Sequence, residues 1–183
     1  MEDREIVDLY FARSETAIAE SDRKYGSYCR YIAERIVGNI GDAEECVNDT
    51  WLSAWGAMPP ARPARLSTFL GKITRNISIN RREYNSREKR GAYAVALDEL
   101  SECISDEGAG EISDSLTIRE ALNSFLYSLK PQERIVFVKR YWYVESVAEI
   151  ARETDLTVSN VKITLHRLRK KLKEKLETEG VIL

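Results

Sequence analysis

Apolar residues recur at steps of three and four along most of this chain, and they do so in two separate stretches. In the first stretch, Ile32 and Ile36 follow this spacing, and Val47, Trp51 and Trp55 repeat it. This period places apolar side chains on one face of an α-helix, whereas a half-buried strand would alternate them with polar residues. Strand-like alternation is absent from the first stretch, and the second follows the same helical spacing. We therefore predict an all-α protein.

An acidic segment that contains Gly108 and Gly110 separates the two helical stretches. Its apolar side chains are scattered, and this composition is typical of a mobile linker rather than a packed element. A chain of 183 residues is long enough for two small domains. We predict an N-terminal helical bundle over residues 1–90, a flexible acidic linker over residues 91–114 and a C-terminal helix-turn-helix domain over residues 115–183.

Several residues predict where helices of the first domain begin and which faces they bury. Asp42 and Glu45 match a capping box, the proline-containing segment 59–63 predicts a loop, and Ser67 can cap the next helix. The predicted core also includes apolar and aromatic residues at helical spacing: Tyr28, Tyr31, Leu52, Phe69, Leu70, Ile73, Ile77 and Tyr84.

The residues that most enzymes and metal sites require are scarce in this chain. His166 is the only histidine, which leaves no base for a Ser-His-Asp triad and no set of ligands for a histidine metal site. Cys29, Cys46 and Cys103 are far apart and lack a CxxC spacing, so neither a disulfide framework nor a thiolate metal site is predicted. We expect a protein that is not an enzyme and that needs no metal or cofactor.

Targeting and membrane segments are not predicted either. No apolar run approaches the roughly 20 residues that a membrane span needs. The first residues, Met1 to Glu5, are acidic, unlike the basic and then apolar start of a signal peptide. We expect a cytoplasmic protein with no membrane insertion.

Charge is distributed unevenly along the chain, although the net charge is only -2. Cations far outnumber acids in residues 72–90 and again in residues 158–176, and the acidic segment lies between them. Phosphate groups respond to the local field rather than to the net charge of the protein. The two basic segments are therefore candidate nucleic-acid contacts.

The segment that begins at Ser146 has the pattern of a helix-turn-helix motif. Ser146 and Glu149 form a capping box at the start of a short helix, and the small Ala151 suits a close helix crossing. Leu156 would fill the corner of a short turn, and Thr157 would cap the helix that follows.

The helix after this turn would bury one face and present cations on the other. Leu165, Leu168 and Leu172 fall on the buried face, while most of its lysines and arginines lie on outward or flanking positions. Such a helix can enter the major groove of DNA. The alternative is an ordinary amphipathic helix with a solvated basic face. The capped short helix and turn that precede it favour DNA binding.

Three segments resemble parts of the sigma-70 family of RNA polymerase sigma factors. Residues 129–172, which include the helix-turn-helix, resemble the domain that binds the upstream promoter element. Residues 42–55 resemble the polymerase-binding helix, and residues 69–82 resemble the promoter-melting helix. Two such domains joined by a short linker point to the extracytoplasmic-function (ECF) group. The resemblance covers nearly the whole chain outside the linker and both tips.

The resemblance implies that the chain directs core RNA polymerase to promoter DNA, and it assigns residues to three surfaces. The upstream promoter element would be contacted by Ser159, Asn160, Lys162, Ile163, His166, Arg167, Arg169 and Lys170. The downstream element would be contacted by Lys72, Arg75, Asn76, Asn80, Arg81 and Arg82. Core polymerase would be bound by Glu45, Asn48 and Asp49.

Two further features follow from the same resemblance. The loop over residues 58–67 would form a pocket for a base that has left the stack, and Asn76 would hydrogen-bond a captured base. Asn80 is either a second polar contact or a solvated residue. An anti-sigma protein is a further candidate partner.

Two other classes of function remain open at this point. A helix-turn-helix repressor or activator would bind its operator without polymerase, but it would leave the first basic segment and Asn76 without a role. An enzyme that acts on nucleic acid would need clustered carboxylates or a metal set. The acids between Asp42 and Asp49 are better explained as a helix cap and a helix surface.

Overall fold

The computed structural model describes residues 1–85, 92–101 and 112–178. Within these ranges the chain forms α-helices and no strand, which confirms the predicted all-α class. The helices are α1 (Asp3–Phe11), α2 (Thr16–Val37), α3 (Ile40–Ala57), α4 (Leu66–Asn85), α5 (Ala92–Ser101), α6 (Ile112–Ser128), α7 (Pro131–Tyr141), α8 (Val147–Glu153) and α9 (Val158–Thr178).

The chain divides into two compact units, Met1–Lys89 and Arg90–Leu183. Of the predicted linker, residues 92–101 form α5, which belongs to the second unit, and residues 112–114 begin α6. The rest of that predicted segment lies outside the described residues. Neither α5 nor α1 was predicted from the sequence.

The first unit packs α2, α3 and α4 against one another, with α1 along one side. Buried Ile6 and Tyr10 attach α1 to this core, and Trp51 lies in it with only 6% of its surface exposed. Complete burial of an aromatic or large aliphatic side chain contributes roughly 1.5–3 kcal/mol. Between α3 and α4 the buried hydroxyls of Thr50 and Thr74 lie 3.1 Å apart in a hydrogen bond, so burial leaves neither unpaired.

The predicted core of the first unit included four residues that lie at the surface instead. Tyr28, Tyr31, Leu52 and Tyr84 are exposed, and Leu52 keeps 70% of its surface accessible. The helix turns Trp51 and Leu52 roughly 100° apart, so Trp51 faces the core while Leu52 lies on the side of α3 that carries exposed Asp49. Ile32 and Ile36, in contrast, are buried as predicted.

Helix α3 begins earlier than the capping pattern at Asp42 predicted. Its N-cap is Asn39, whose side-chain oxygen accepts a hydrogen bond of 2.8 Å from the backbone N–H of Asp42. Gly38, with φ +78°, ends α2 immediately before this cap. The left-handed conformation is one that glycine adopts without steric cost, which explains the close spacing of the two helices.

Replacement of Asn39 by alanine is expected to lower the free energy of unfolding of the first unit by about 1 kcal/mol, because the amide of Asp42 loses its acceptor. Urea unfolding of the variant measures this loss. The matched control is Asn39→Ser, which keeps an oxygen acceptor and is expected to retain most of the stability. A stable Asn39→Ala variant would show that the cap contributes little.

The second unit packs α6, α7 and α8 against the long helix α9. The capping box at the start of α8 is confirmed: the backbone N–H of Glu149 donates to Ser146 Oγ (3.2 Å), and the N–H of Ser146 donates to Glu149 Oε2 (2.6 Å). Thr157 caps α9 as predicted, with its Oγ1 accepting from the N–H of Asn160 (3.1 Å). Helices α8 and α9 therefore form the predicted helix-turn-helix.

Candidate nucleic-acid interface

Helix α9 presents one side to the core of the second unit and the other to solvent. Leu165, Leu168 and Leu172 are buried, with at most 2% of their surface exposed. Because successive helix residues turn by roughly 100°, the residues opposite these leucines form one surface. This surface, the α9 face, consists of exposed Ser159, Ile163, His166, Arg167 and Lys170.

Two further predicted contacts, Asn160 and Lys162, are exposed on either side of the α9 face. Asn160 and Arg167 also line a cavity of about 410 Å³ between α9 and the start of α7, together with Gln132 and Glu133. Seven of the eight predicted upstream contacts are thus exposed on neighbouring parts of one helix.

Arg169 is the exception among these residues. Its guanidinium donates a hydrogen bond to the Tyr141 hydroxyl (3.0 Å) and lies 3.5 Å from Glu99 Oε2. Arg169 follows buried Leu168, so its side chain lies at the edge of the core and reaches α5 and α7. The structure therefore does not bring Arg169 together with the α9 face.

Glu99 of α5 is the centre of this second group of charges. Its carboxylate accepts two hydrogen bonds from the buried guanidinium of Arg140 (2.7 and 3.0 Å) and one from the Tyr141 hydroxyl (3.2 Å). Partial burial acts to raise the pKa of Glu99, but the hydrogen bond and charge of Arg140, together with the charge of Arg169 and the bond from Tyr141, outweigh burial and lower that pKa. Burial raises the pKa of Tyr141 to about 12.

On α4, three of the predicted downstream contacts form one exposed stripe. Lys72, Asn76 and Asn80 are spaced by four residues, so they lie one above the other on the same side of the helix. We refer to them as the α4 stripe. Arg75 and Arg82 are half-buried and interact with other groups of the protein, so they do not share this exposure.

Arg81 points from α4 towards α3 instead. Its guanidinium forms an ion pair with Glu45 (2.8 Å) and lies 3.7 Å from Asp42 Oδ1. Glu45 was predicted to bind polymerase and Arg81 to contact DNA. The ion pair therefore joins a predicted polymerase contact to a predicted DNA contact. Sequence spacing gave no sign of this pairing, because 36 positions separate the two residues.

The predicted polymerase-binding residues lie together on α3. Glu45, Asn48 and Asp49 are exposed, and Leu52 continues the same side of the helix one turn later. Asn48 and Leu52 also line a groove of about 780 Å³ between α2 and α3, where Trp55 is half-buried. Leu52 was not predicted to be a surface residue. Its spacing of four and three residues from the polar Asn48 and Asp49 is the signal that could have identified it.

The described residues form neither a metal site nor a membrane span. In the described ranges no cluster of three or more histidine, cysteine or acidic side chains could hold a metal ion. None of the helices described combines the length and the apolar character that crossing a membrane would require.

Comparison with known proteins finds one matching family model in each half of the chain. The family model described as Sigma-70 region 2 matches residues 23–88, and the one described as Sigma-70, region 4 matches residues 119–172. The first range contains α3, α4 and most of α2, and the second contains α7, α8 and α9 as far as Leu172. Both candidate surfaces therefore fall inside matched regions.

Named relatives agree with these matches. The RNA polymerase sigma-E factor of Streptomyces avermitilis is 27% identical over 149 residues, which cover 81% of this chain and 79% of the relative. The ECF RNA polymerase sigma factor SigL of Mycobacterium tuberculosis is 29% identical over 153 residues, which cover 81% of this chain and 82% of the relative. Two matched regions in the same chain, supported by relatives that align along most of their length, show that this protein belongs to the sigma-70 family of RNA polymerase sigma factors, in the ECF group.

Proposed function

We propose that this protein binds core RNA polymerase and directs it to promoters by contacting two separate DNA elements. The observation that carries the proposal is that each unit presents its own exposed polar and basic helix surface, the α9 face in one and the α4 stripe in the other. A single-element regulator needs only one such surface.

The α9 face is suited to the upstream promoter element. The helix follows a capped short helix and a tight turn, the arrangement in which a second helix enters the major groove. Arg167 can donate two parallel hydrogen bonds to a guanine, whereas Lys170, one turn later, is a point charge suited to phosphate. Ser159 and Asn160 lie at the helix N-terminus, where backbone amides favour phosphate.

The α4 stripe is suited to the downstream element after the strands separate. An unstacked base is unstable unless a protein supplies new partners, at a cost of a few kcal/mol for each base that leaves the stack. The side-chain amide of Asn76 can donate and accept hydrogen bonds with such a base, and Lys72 lies one turn away to hold a phosphate. Asn80 extends the polar stripe by another turn.

Polymerase binding is assigned to the exposed side of α3. Asn48 and Asp49 provide polar contacts, and Leu52 provides an apolar side chain that is already exposed. Burial of such a residue at the centre of an interface is favourable, with polar residues around it. Glu45 already forms an ion pair with Arg81, so it contacts polymerase either with that pair intact or by exchanging Arg81 for a polymerase group.

Reconstituted transcription tests the proposal directly. Core polymerase is combined with a pool of random-sequence templates, with and without this protein, and the start sites are sequenced. We expect defined start sites only when the protein is present, on templates that share two short sequence elements. Templates with either element scrambled are the matched controls. Failure of the protein to associate with core enzyme, or start sites that do not depend on it, would contradict the proposal.

A further inference from the structure

Helix α1 and the loop between α3 and α4 are joined by two polar anchors. The loop spans residues 58–65 and falls within residues 58–67, for which the family resemblance implies base capture without any role for α1. Helix α1 lies beside the loop, and a cavity of about 350 Å³ between them is lined by Asp3, Arg4, Val7, Arg62, Pro63 and Ala64.

The first anchor is Asp3, at the start of α1. Its Oδ2 accepts a hydrogen bond of 3.3 Å from the backbone N–H of Leu66, the first residue of α4. Such an amide has no acceptor within its own helix, so a carboxylate from another helix replaces the usual cap. Lys24 Nζ (2.6 Å) and the Tyr25 hydroxyl hold the other oxygen of Asp3. The expected Ser67 cap is therefore wrong, because α4 begins at Leu66.

The second anchor is Arg62, inside the loop. Its guanidinium is paired with the carboxylate of Asp8 on α1 and lies 4.7 Å from the centre of the Phe11 ring. Charge and aromatic face together hold the cation more firmly than either alone. The pair is about half-exposed, so it contributes only roughly 0–1 kcal/mol to stability. Its loss would free the loop without unfolding the unit.

We infer that α1 is a positioning element for base capture, in which Asp3 and Asp8 set the conformation of the loop through Leu66 and Arg62. Asp3 and Asp8 are anionic and therefore unsuited to contact phosphate themselves. They act by keeping the loop in the one arrangement that can receive a base, because binding weakens in proportion to the fraction of molecules that hold the competent conformation. This inference rests on the proposed function of the loop.

A charge exchange tests the inference with three variants: Asp8→Arg, Arg62→Asp and the double variant that combines them. Promoter opening is followed with a fluorescent base analogue in the downstream element, and association with core polymerase is measured in parallel. Each single variant is expected to reduce the opened fraction on the order of fivefold while polymerase association stays unchanged. The double variant restores opposite charges and is expected to recover most of the opening.

Hydrogen exchange of the loop amides in the free protein provides a readout that does not depend on transcription. We expect faster exchange around residues 61–66 in each single variant and near wild-type exchange in the double variant. Wild-type behaviour of the single variants would overturn the inference. A double variant as defective as Arg62→Asp would overturn it too, because Arg62 would then contact DNA directly. If the wild-type protein opens no promoter but exchange follows the expected pattern, the proposed function fails while the anchoring of the loop by α1 stands.

Discussion

Replacement of Glu99 by glutamine is expected to lower the free energy of unfolding of the second unit by about 3 kcal/mol, because it removes the charge that compensates a buried arginine. Only 5% of the Arg140 side chain is exposed, and Glu99 supplies two of its hydrogen bonds. The guanidinium of Arg140 also donates a hydrogen bond to the backbone carbonyl of Glu145 (3.0 Å), which carries no net charge. Hydrogen exchange of the amides in α7 and α9 measures the loss for this unit.

The matched control is Glu120→Gln, which changes an exposed carboxylate in the same unit. We expect it to stay within about 0.5 kcal/mol of wild type. The pH dependence provides a second check. The folded pKa of Glu99 is lower than its ordinary value of 4.5, so its stabilisation is present at neutral pH and is lost as the pH falls below 4.5 towards the folded pKa. The difference between wild type and Glu99→Gln should therefore shrink in acid, and a constant difference would contradict the assigned role.

Replacement of Arg167 by alanine is expected to weaken binding to the correct upstream element by about 1–3 kcal/mol and to relax base preference at one position. The side chain is exposed on the α9 face, where a guanidinium can contact a guanine edge. Both effects are measured by the affinity of the full chain for two DNA duplexes. One duplex carries the upstream element found in the start-site experiment, and the other has a random sequence.

Lys170→Ala provides the contrast on the same helix. Lys170 is exposed one turn further along the α9 face, so its loss is expected to weaken specific and random duplexes alike and to reduce the salt dependence by about one phosphate contact. Equal losses on specific and random DNA for Arg167→Ala would show that Arg167 contacts phosphate rather than a base.

Local sequence signals predicted the helices whose boundaries depend on near neighbours. The Ser146 and Glu149 capping box and the Thr157 cap are interactions over three residues, so the sequence contains all of their parts. The two short helices α1 and α5 were missed, although Glu5 accepts a hydrogen bond of 2.8 Å from the backbone N–H of Glu2 at the start of α1. Helices of fewer than about 12 residues are marginal on their own, and these two are held by packing, through buried Ile6 in α1 and Ala96 in α5.

The candidate site was predicted only in part for a related reason. Sequence period and family resemblance together placed Lys72 and Asn76 on α4, and Arg167 and Lys170 on α9, and all four are exposed in the structure. The same reasoning could not tell these residues from the neighbouring arginines of the predicted DNA set. A cation next to a buried position faces either solvent or another helix. Which of the two it faces depends on how the helices pack in the folded unit.

The sequence by itself determined the helical class, the division into two helical parts and the helix-turn-helix, because each depends on periodicity and on hydrogen bonds within one or two turns. Only the tertiary structure decided which charged and polar side chains pair. Arg140 meets Glu99 across 41 positions and Arg169 meets Tyr141 across 28. Such pairs depend on how helices pack in space, and sequence spacing does not encode the distance between groups that packing brings together.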